Sequence, residues 1–512
     1  MHSHAILNAL AIFASTAAAW PTWHTSRGED LVKFLERAAT PTLNFHISPN
    51  ASIVTPDSPE WADDTGRWST WSAPTFSVAF LPAEEKDISV GLQYMSKHNI
   101  SFLAGGGGHG NTVTLAKAQD VVFINMEKFN KITVNSDKTI TVGGGAKFGD
   151  VYAVAYGAGR ELPLGSCSCV GVGGASLGGG HGRLQGKYGL IVDAIVSMRV
   201  ALWDGSIIEV SSTKNSDLFW AMRGAGHNFG IVLSFTYKTW PLQNNGLTYN
   251  ADMTFTNASL EGVFGVINEL IPNQDPGLAL DLFILTNETS HERQTVTYLN
   301  IVYAGTKDEG DKFTARFATN KKSTGGIERT FLNVTMTPWS QITHVAAGGM
   351  VDLACIDGAS QNVYTANLKQ FDIPQQRRFY NSYVDFIKKN PLASNSIIFY
   401  EIFGQKAVTE QPADQTAVGN RNYANILALY QATYTDESVA AAADEWARSL
   451  RDEVVKPKYS GYDIESVYMN YAHGNEKLES MYGYEPWRLE RLRSLKRRYD
   501  PQGFFNFYNS VL

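Results

Sequence analysis

The chain has 512 residues, 44% hydrophobic and 18% charged, so it is globular rather than disordered and long enough for two or more domains. A formal net charge of −7 argues against nucleic acid or an anionic membrane surface as a partner. No internal apolar run reaches the roughly 18 residues that a membrane span needs.

Residues 1–19 read as a signal peptide. An apolar stretch, Ala5 to Ala14, precedes small residues that end in Ala17-Ala18-Ala19, a pattern suited to cleavage. The competing reading is an anchor helix, because no Lys or Arg precedes the apolar stretch. N-x-S/T sequons at Asn50, Asn99, Asn257, Asn287 and Asn333 agree with secretion. Asn99 is expected to be buried, since an apolar strand follows at once, which leaves the other four as glycan acceptors.

Residues 20–70 form a mixed segment with proline turns. Residues 71–242 alternate short strands, glycine turns and a few helices. Ser101–Ala104 is an apolar strand that ends in Gly105-Gly106-Gly107-Gly108-His109-Gly110. Thr139–Val142 is an alternating strand that ends in Gly143-Gly144-Gly145. Ile195–Leu202 and Ser206–Val210 flank an Asp-Gly turn and predict a hairpin. Gly224–Gly230 leads into the strand Ile231–Tyr237. Residues 243–456 hold strand-like runs at Ala279–Leu285, Thr295–Tyr303 and Ile397–Phe403, with helices at Leu260–Ile271 and Val439–Val455. Residues 457–512 carry a helix, Glu485–Tyr499, stopped by Asp500-Pro501-Gln502-Gly503.

The run Gly165–Gly189 (GSCSCVGVGGASLGGGHGRLQGKYG) is the most informative. So many glycines cost too much backbone entropy for an ordinary core element. They suit a chain that turns sharply or lies against a flat, anionic ligand. Gly105–Gly110 formally matches G-x-G-x-x-G after a strand, but no acidic residue stands at the distance a single Rossmann unit expects. Turns of this kind also present successive backbone N–H groups, which suit a pyrophosphate. His109, His181 and His227 each sit in a glycine cluster. Their spacing fits no helical zinc motif, and no metal is expected. Three cysteines make no disulfide framework. Cys167 and Cys169 stand too close to bridge, Cys355 has no evident partner, and Cys167 or Cys169 is expected to be functional. By period two, Glu401 shares a strand face with Phe399 and Phe403. A carboxylate there is either a rim residue or a functional group with a raised pKa.

Together these motifs resemble the flavin-linked oxidases of the vanillyl-alcohol oxidase type, in the berberine bridge enzyme-like branch with its fungal carbohydrate and secondary-metabolite oxidases. The resemblance covers residues from about Trp71 to Leu512. It is carried by Gly107–Gly110, Cys167–Gly174, Leu177–Gly182, Gly224–Val232, Tyr468–Ala472 and the ending Leu495–Pro501. It implies an α+β fold: a PCMH-type FAD-binding domain of two α/β subdomains (71–242), a substrate domain with an antiparallel sheet backed by helices (243–456), and a berberine bridge-like segment (457–512) that returns to the cofactor.

The resemblance also implies FAD bound covalently, through His109 to the 8α-methyl carbon and through Cys167 to C6 of the isoalloxazine. Imidazole and thiolate are nucleophiles and the oxidised flavin is an electrophile. The matching cofactor contacts are Gly105, Gly106, Gly107, Gly108, Gly110, Val170, Gly173, Gly174, Gly178, Gly179, Gly226, Asn228, Gly230, Val232 and Asn470. Val170 matches the position that gates oxygen, and its modest size favours O2 as acceptor and H2O2 as product. Ala175 departs from relatives that carry a histidine supporting the reduced flavin, so another dipole or cation is needed there. Tyr471 matches the tyrosine that acts as base in the family's sugar oxidases, with Asn470 orienting the ring; Glu401 is the alternative or partner base. The implied reaction passes a hydride from a substrate C–H to flavin N5. The expected substrate is a fungal specialised metabolite. The alternatives are a secreted sugar oxidase acting at an anomeric carbon and a non-catalytic flavoprotein.

Overall fold

Continuous apolar runs become strands buried on both faces, and the alternating ones become walls with one face turned to a cleft. The computed structural model describes residues 47–287, 294–320 and 325–512, with Lys33 alone before them. The expected signal peptide and most of the segment 20–70 lie outside the described residues, as does the Thr289 of the Asn287 sequon.

Strands β1 (Ser52–Val54), β2 (Phe76–Leu81), β3 (Phe102–Gly105) and β4 (Val121–Asn125) form a first sheet in the order β1-β2-β4-β3. The segment expected to stand apart up to residue 70 therefore lends this sheet a strand. β4 (VVFIN) is buried at all five positions because it pairs in parallel with β2 and with β3. The helix Glu85–Lys97 makes the crossover from β2 to β3. Buried Asp87 fixes its start by accepting from the Ala83 and Glu84 amides and from Ser48.

The second sheet takes β5 (Ile132–Val134), β6 (Thr139–Gly143) and, after the short β7 (Arg160–Glu161), strands β8 (Ile195–Ala201), β9 (Ile207–Ser211) and β10 (Ile231–Lys238). Its order is β5-β6-β10-β8-β9, and β7 pairs instead with β11 (Trp240–Pro241). β8 and β9 form the expected hairpin.

The third sheet is antiparallel throughout. It contains β12 (Leu247–Phe255), β13 (Leu278–Thr286), β14 (Thr295–Tyr303), β15 (Arg329–Pro338), β16 (Ser360–Leu368), β17 (Ile397–Phe403) and β18 (Ile426–Tyr434), ordered β15-β12-β14-β13-β17-β18-β16. Period two sorts its side chains. Leu280, Leu282 and Ile284 of β13, with Ile398, Tyr400 and Ile402 of β17, enter a core shared with helices Leu260–Leu270, Ile373–Lys389 and Ala440–Val454. Asp281, Phe283 and Leu285, with Ile397, Phe399 and Glu401, point the other way into a large cleft.

The chain then crosses back. Helix Pro486–Tyr499 places Lys496 and Asp500 side by side with fully buried side chains, 2.6 Å apart. Lys496 Nζ also donates to the carbonyls of Asn228 and Phe505, and Asp500 accepts from the amides of Phe504 and Phe505. The hydrogen bonds of the pair are thus spent on holding the last residues against the second sheet. Asn50, Asn257 and Asn333 are exposed and Asn287 is half-buried. Asn99 corrects its expectation: it is exposed, in a left-handed turn (φ 51°) between the helix and β3, because that turn swings its side chain out before the strand begins. Among the described residues no helix is long and apolar enough to cross a membrane.

Replacing Lys496 with Met strands the Asp500 carboxylate in the interior, and urea unfolding is expected to show a loss of about 3–5 kcal/mol.

Candidate active site

The cleft between the two glycine-rich sheets and the third sheet has a volume of about 2220 Å³. Its floor is backbone. Gly107 and Gly171, from the two motif loops, lie so close that a Cβ on Gly107 would sit 2.3 Å from the Gly171 nitrogen, and one on Gly171 would sit 2.5 Å from the Gly107 nitrogen. A Cβ on Gly144 would fall 2.0 Å from the Val232 carbonyl oxygen. These contacts require glycine for close backbone approach. They leave a trough lined by main-chain groups, the shape an extended dinucleotide needs, so the residues present fit FAD. Gly105, Gly106, Gly107, Gly108, Gly110, Gly173, Gly174, Gly230 and Val232 all line it.

His109 leaves the first loop half-buried, with its ring stacked on Trp68 at 5.6 Å. Burial, with Lys147 and Arg67 nearby, lowers its pKa to about 4, so the imidazole is neutral and nucleophilic at neutral pH. Of the histidines in the other clusters, His181 is held by a local bond and His227 by a bond to the Gly165–Gly189 run. His181 Nδ1 lies 2.8 Å from Gln185 Oε1, and His227 Nε2 lies 3.0 Å from the Gly174 carbonyl.

The cysteine expectation is corrected. Cys169 and Cys355 form a disulfide across 186 positions, and Cys167 is the free thiol. Tertiary packing brings the helix Met350–Leu353 over the Cys167 loop, a contact that sequence spacing does not reveal. Cys167 Sγ stands 3.3 Å from Cys169 Sγ and 3.6 Å from Cys355 Sγ, and Cys167 lines the cleft. Burial raises its pKa, opposed by the backbone N–H groups of Cys169 and Val170 and by Arg183.

Facing this floor, the third sheet supplies two acids. Glu401 is 5% exposed and its Oε2 accepts from the Tyr471 hydroxyl at 2.9 Å. Burial first, and then the charge that an ionised Asp281 would carry, push the Glu401 pKa up to about 8. Tyr471 is pushed well above the ordinary phenol range, by burial and then by Glu401. Its surroundings thus oppose a phenolate. The geometry therefore pairs a neutral Tyr471, as donor, with the Glu401 carboxyl oxygen, as acceptor. Phe283 and Phe399 stack with ring centroids 4.3 Å apart and wall the cleft beside the acids.

Asn470 lines the cleft but does not orient Tyr471. Its amide donates to the Ala175 carbonyl (2.8 Å) and the Tyr468 hydroxyl (2.6 Å). Tyr468 in turn accepts from the Gly180 amide, which locks the turn beneath it. Val170 and Ala175 both line the cleft, and both are half-buried.

Four expected cofactor contacts lie outside the lining. A Cβ at Gly178 would meet Asn470 Oδ1 at 2.0 Å, Gly179 (φ 123°) packs near Val418 and Tyr468, and Gly226 packs on Leu177. Asn228 is fully buried, bonded to the Tyr482 hydroxyl and the Val511 amide. All four serve packing behind the wall.

The sequence reading missed Asp281, Arg183 and Arg67. Asp281 is a lone acid in the apolar run LALDLFIL, the same signal that exposed Glu401. Arg67 donates to the Gly110 carbonyl at 2.7 Å and brings a buried cation to the cleft. Tyr508 stacks on His227 at 4.4 Å and closes one end.

A family model described as "FAD binding domain" matches residues 76–211, and one described as "Berberine and berberine like" matches 467–512. The FAD-linked oxidoreductase azaL of Aspergillus niger is 34% identical over 89% of this chain and 95% of its own length. The FAD-linked oxidoreductase OXR1 of Pyricularia oryzae is 34% identical over 90% of this chain and 89% of its own. Among solved structures, wild-type BBE-like 1 of Physcomitrella patens superposes with a TM-score of 0.76 at 20% identity, covering 94% of this chain and 99% of that one. Xylooligosaccharide oxidase from Myceliophthora thermophila C1, in complex with xylobiose, gives 0.74 at 22%, covering 94% and 98%. Glucooligosaccharide oxidase from Acremonium strictum, described with a 6-S-cysteinyl, 8α-N1-histidyl FAD, gives 0.73 at 21%, covering 90% and 97%.

Two outcomes are expected. Because the Glu401 pKa is raised on folding, its stabilising contribution is complete below the ordinary value of 4.5 and is lost as pH rises through about 8. Wild-type protein should lose stability relative to Glu401→Gln as pH rises from about 5 to about 8, measured by thermal unfolding. Gly107→Ala should purify with its flavin content cut several-fold, measured by absorbance; a full flavin load would refute the close-approach argument.

Proposed function

The chain belongs to the FAD-linked oxidoreductases that pair an FAD-binding domain with a berberine-like C-terminal segment, and on that premise we propose that it oxidises an apolar specialised metabolite, at a carbon bearing an O–H or N–H group, with O2 as acceptor and H2O2 as product. The observation that carries this reading is the Tyr471–Glu401 hydrogen bond set in an aromatic-walled cleft. When bound, FAD supplies the two-electron acceptor for the substrate's hydride. The chain's part is the proton. Tyr471 takes it from the substrate as it passes its own to Glu401, so neither a free phenolate nor an exposed carboxylate is required.

The wall around these acids favours a hydrophobic ligand. Phe283, Phe399, Leu285, Val296, Ile397 and Met350 line it. Of the polar groups farther along, Gln361, Gln431 and Thr433 are satisfied by one another: Gln431 donates to Gln361 Oε1 at 2.8 Å, and Thr433 donates to the same oxygen at 2.7 Å. A sugar needs such groups free. The sugar-oxidase reading therefore rests on Tyr471 and on the fold shared with oligosaccharide oxidases, and ranks second.

His109 and Cys167 are the proposed covalent anchors. Burial keeps the imidazole in its nucleophilic form; at Cys167 burial raises the pKa, and the Cys169 and Val170 N–H groups with Arg183 counter that rise. Val170, half-buried at the cleft floor, is the proposed oxygen gate. We place the protein in the secretory pathway, with residues 1–19 as the signal and Asn50, Asn257, Asn287 and Asn333 as glycan acceptors.

Acid-precipitated wild-type protein is expected to keep its flavin in the pellet. His109→Ala and Cys167→Ala should each retain it through the other bond, and the double variant should release it all. Under anaerobic conditions an aromatic alcohol panel should bleach the flavin where xylo- and chito-oligosaccharides do not. The reverse order would establish the sugar reading, and no bleaching by either panel would overturn both.

A further inference from the structure

Two carboxyl groups and one guanidinium meet at one level of the third sheet. Asp281 of β13 and Glu401 of β17 are direct cross-strand partners, so their Cβ atoms stand roughly 5 Å apart on the same face. They are 3% and 5% exposed. Arg183 is 4% exposed; it donates to Asp281 Oδ2 at 3.1 Å and to the Ser166 carbonyl at 3.1 Å. The other titratable groups facing the pair are Tyr471, bonded to Glu401, and Tyr468. Both phenols are held neutral by burial. With both carboxyls ionised, one cation would face two buried anions, and like charges this close disfavour that state.

A second observation comes from the neighbouring strand. Asp281 also pairs directly with Asn300 of β14. The Asn300 amide Nδ2 is committed to Asn250 Oδ1 and Asp252 Oδ1, each at 2.8 Å, which fixes which end of the amide is oxygen. Asn300 Oδ1 and Asp281 Oδ1 are then two buried acceptors without a donor, on residues in direct register. Buried acceptors are satisfied in folded proteins, and a proton on Asp281 supplies the missing donor.

We propose that Asp281 is a positioning residue for the reaction: it and Glu401 hold one proton between them, kept on Asp281 toward Asn300, which leaves Glu401 ionised to receive the proton that Tyr471 relays. The pair then titrates as a unit, and neither residue has a proton affinity of its own. Arg183 bonds Oδ2 of Asp281, which leaves Oδ1, the oxygen without a donor, to carry the proton. This rests on the reading of Glu401 as proton acceptor.

Infrared difference spectroscopy of the flavin-loaded enzyme tests it without any substrate. Wild type minus Asp281→Asn at about pH 7 should show one protonated carboxyl C=O band, and wild type minus Glu401→Gln should show the same band, since removing either partner leaves the other ionised beside Arg183. Asp281→Glu should restore it. A merely structural role for Asp281 would leave the Glu401→Gln difference without that signature. Absence of a protonated carboxyl band in the wild type, a measurement that needs no variant to fold, overturns the proposal. So does a band that survives unchanged in either variant. The pH profile of flavin reduction separates the two readings. If Glu401 is the acceptor, Asp281→Asn, a neutral stand-in for the protonated acid, should keep the acid limb within about half a pH unit, and Glu401→Gln should abolish it. A shared-proton band with an acid limb that survives in Glu401→Gln would keep the pair and refute Glu401 as acceptor.

Discussion

Everything in the active site hangs on one close approach, that of Gly107 to Gly171. Neither backbone tolerates a Cβ there. The contact clamps the loop after β3 to the loop that begins the helix Val172–Leu177, and so joins the first sheet to the second. His109 stands two residues beyond one side of the clamp and Cys167 four residues before the other. The clamp fixes the main-chain positions from which both side chains leave. Gly144 and Gly173 extend the same rule along the trough, where a Cβ on Gly173 would come 2.5 Å from the Gly144 oxygen.

The opposite wall follows a different rule. An antiparallel sheet with a helix layer on one face alternates strictly, and the alternation delivers Asp281 and Glu401 to the cleft at the same level. A one-residue slip of β17 against β13 would turn Glu401 into the helix core. The buried residues of that core, Ile398, Tyr400 and Ile402 on one strand and Leu280, Leu282 and Ile284 on the other, hold the register. The chemistry of the cleft face is thus protected by packing on the face that never meets a ligand.

The fold was largely legible because its signals are local. Glycine clusters after apolar strands, an Asp-Gly hairpin and alternating strands each declare themselves within about ten residues. Strand ends moved by only a residue or so, as with Phe102–Gly105 for the expected Ser101–Ala104. What stayed hidden is long-range. The partner of Cys169 lies 186 positions away. Asn470 spends its amide on Ala175, 295 positions back, rather than on its neighbour Tyr471. Gly178, Gly179 and Gly226 look like cofactor glycines in the sequence, yet Gly178 and Gly226 are required by the packed side chains of Asn470 and Leu177, and Gly179 by its positive φ of 123°. Glu401 was readable and Asp281 was not, although both are single acids in apolar strands; only the register shows that they face each other.

The end of the chain forms part of the cleft wall. Phe504 stacks on Phe102 at 5.6 Å, Tyr508 stacks on His227, and the Phe507 carbonyl accepts from Thr114. These residues lie roughly 280 to 400 positions from the loops and strands they touch, so closure of the trough at that end depends on the longest-range packing in the fold. Cleavage anywhere between the third sheet and residue 504 would let that end of the trough open while leaving both glycine-rich sheets paired.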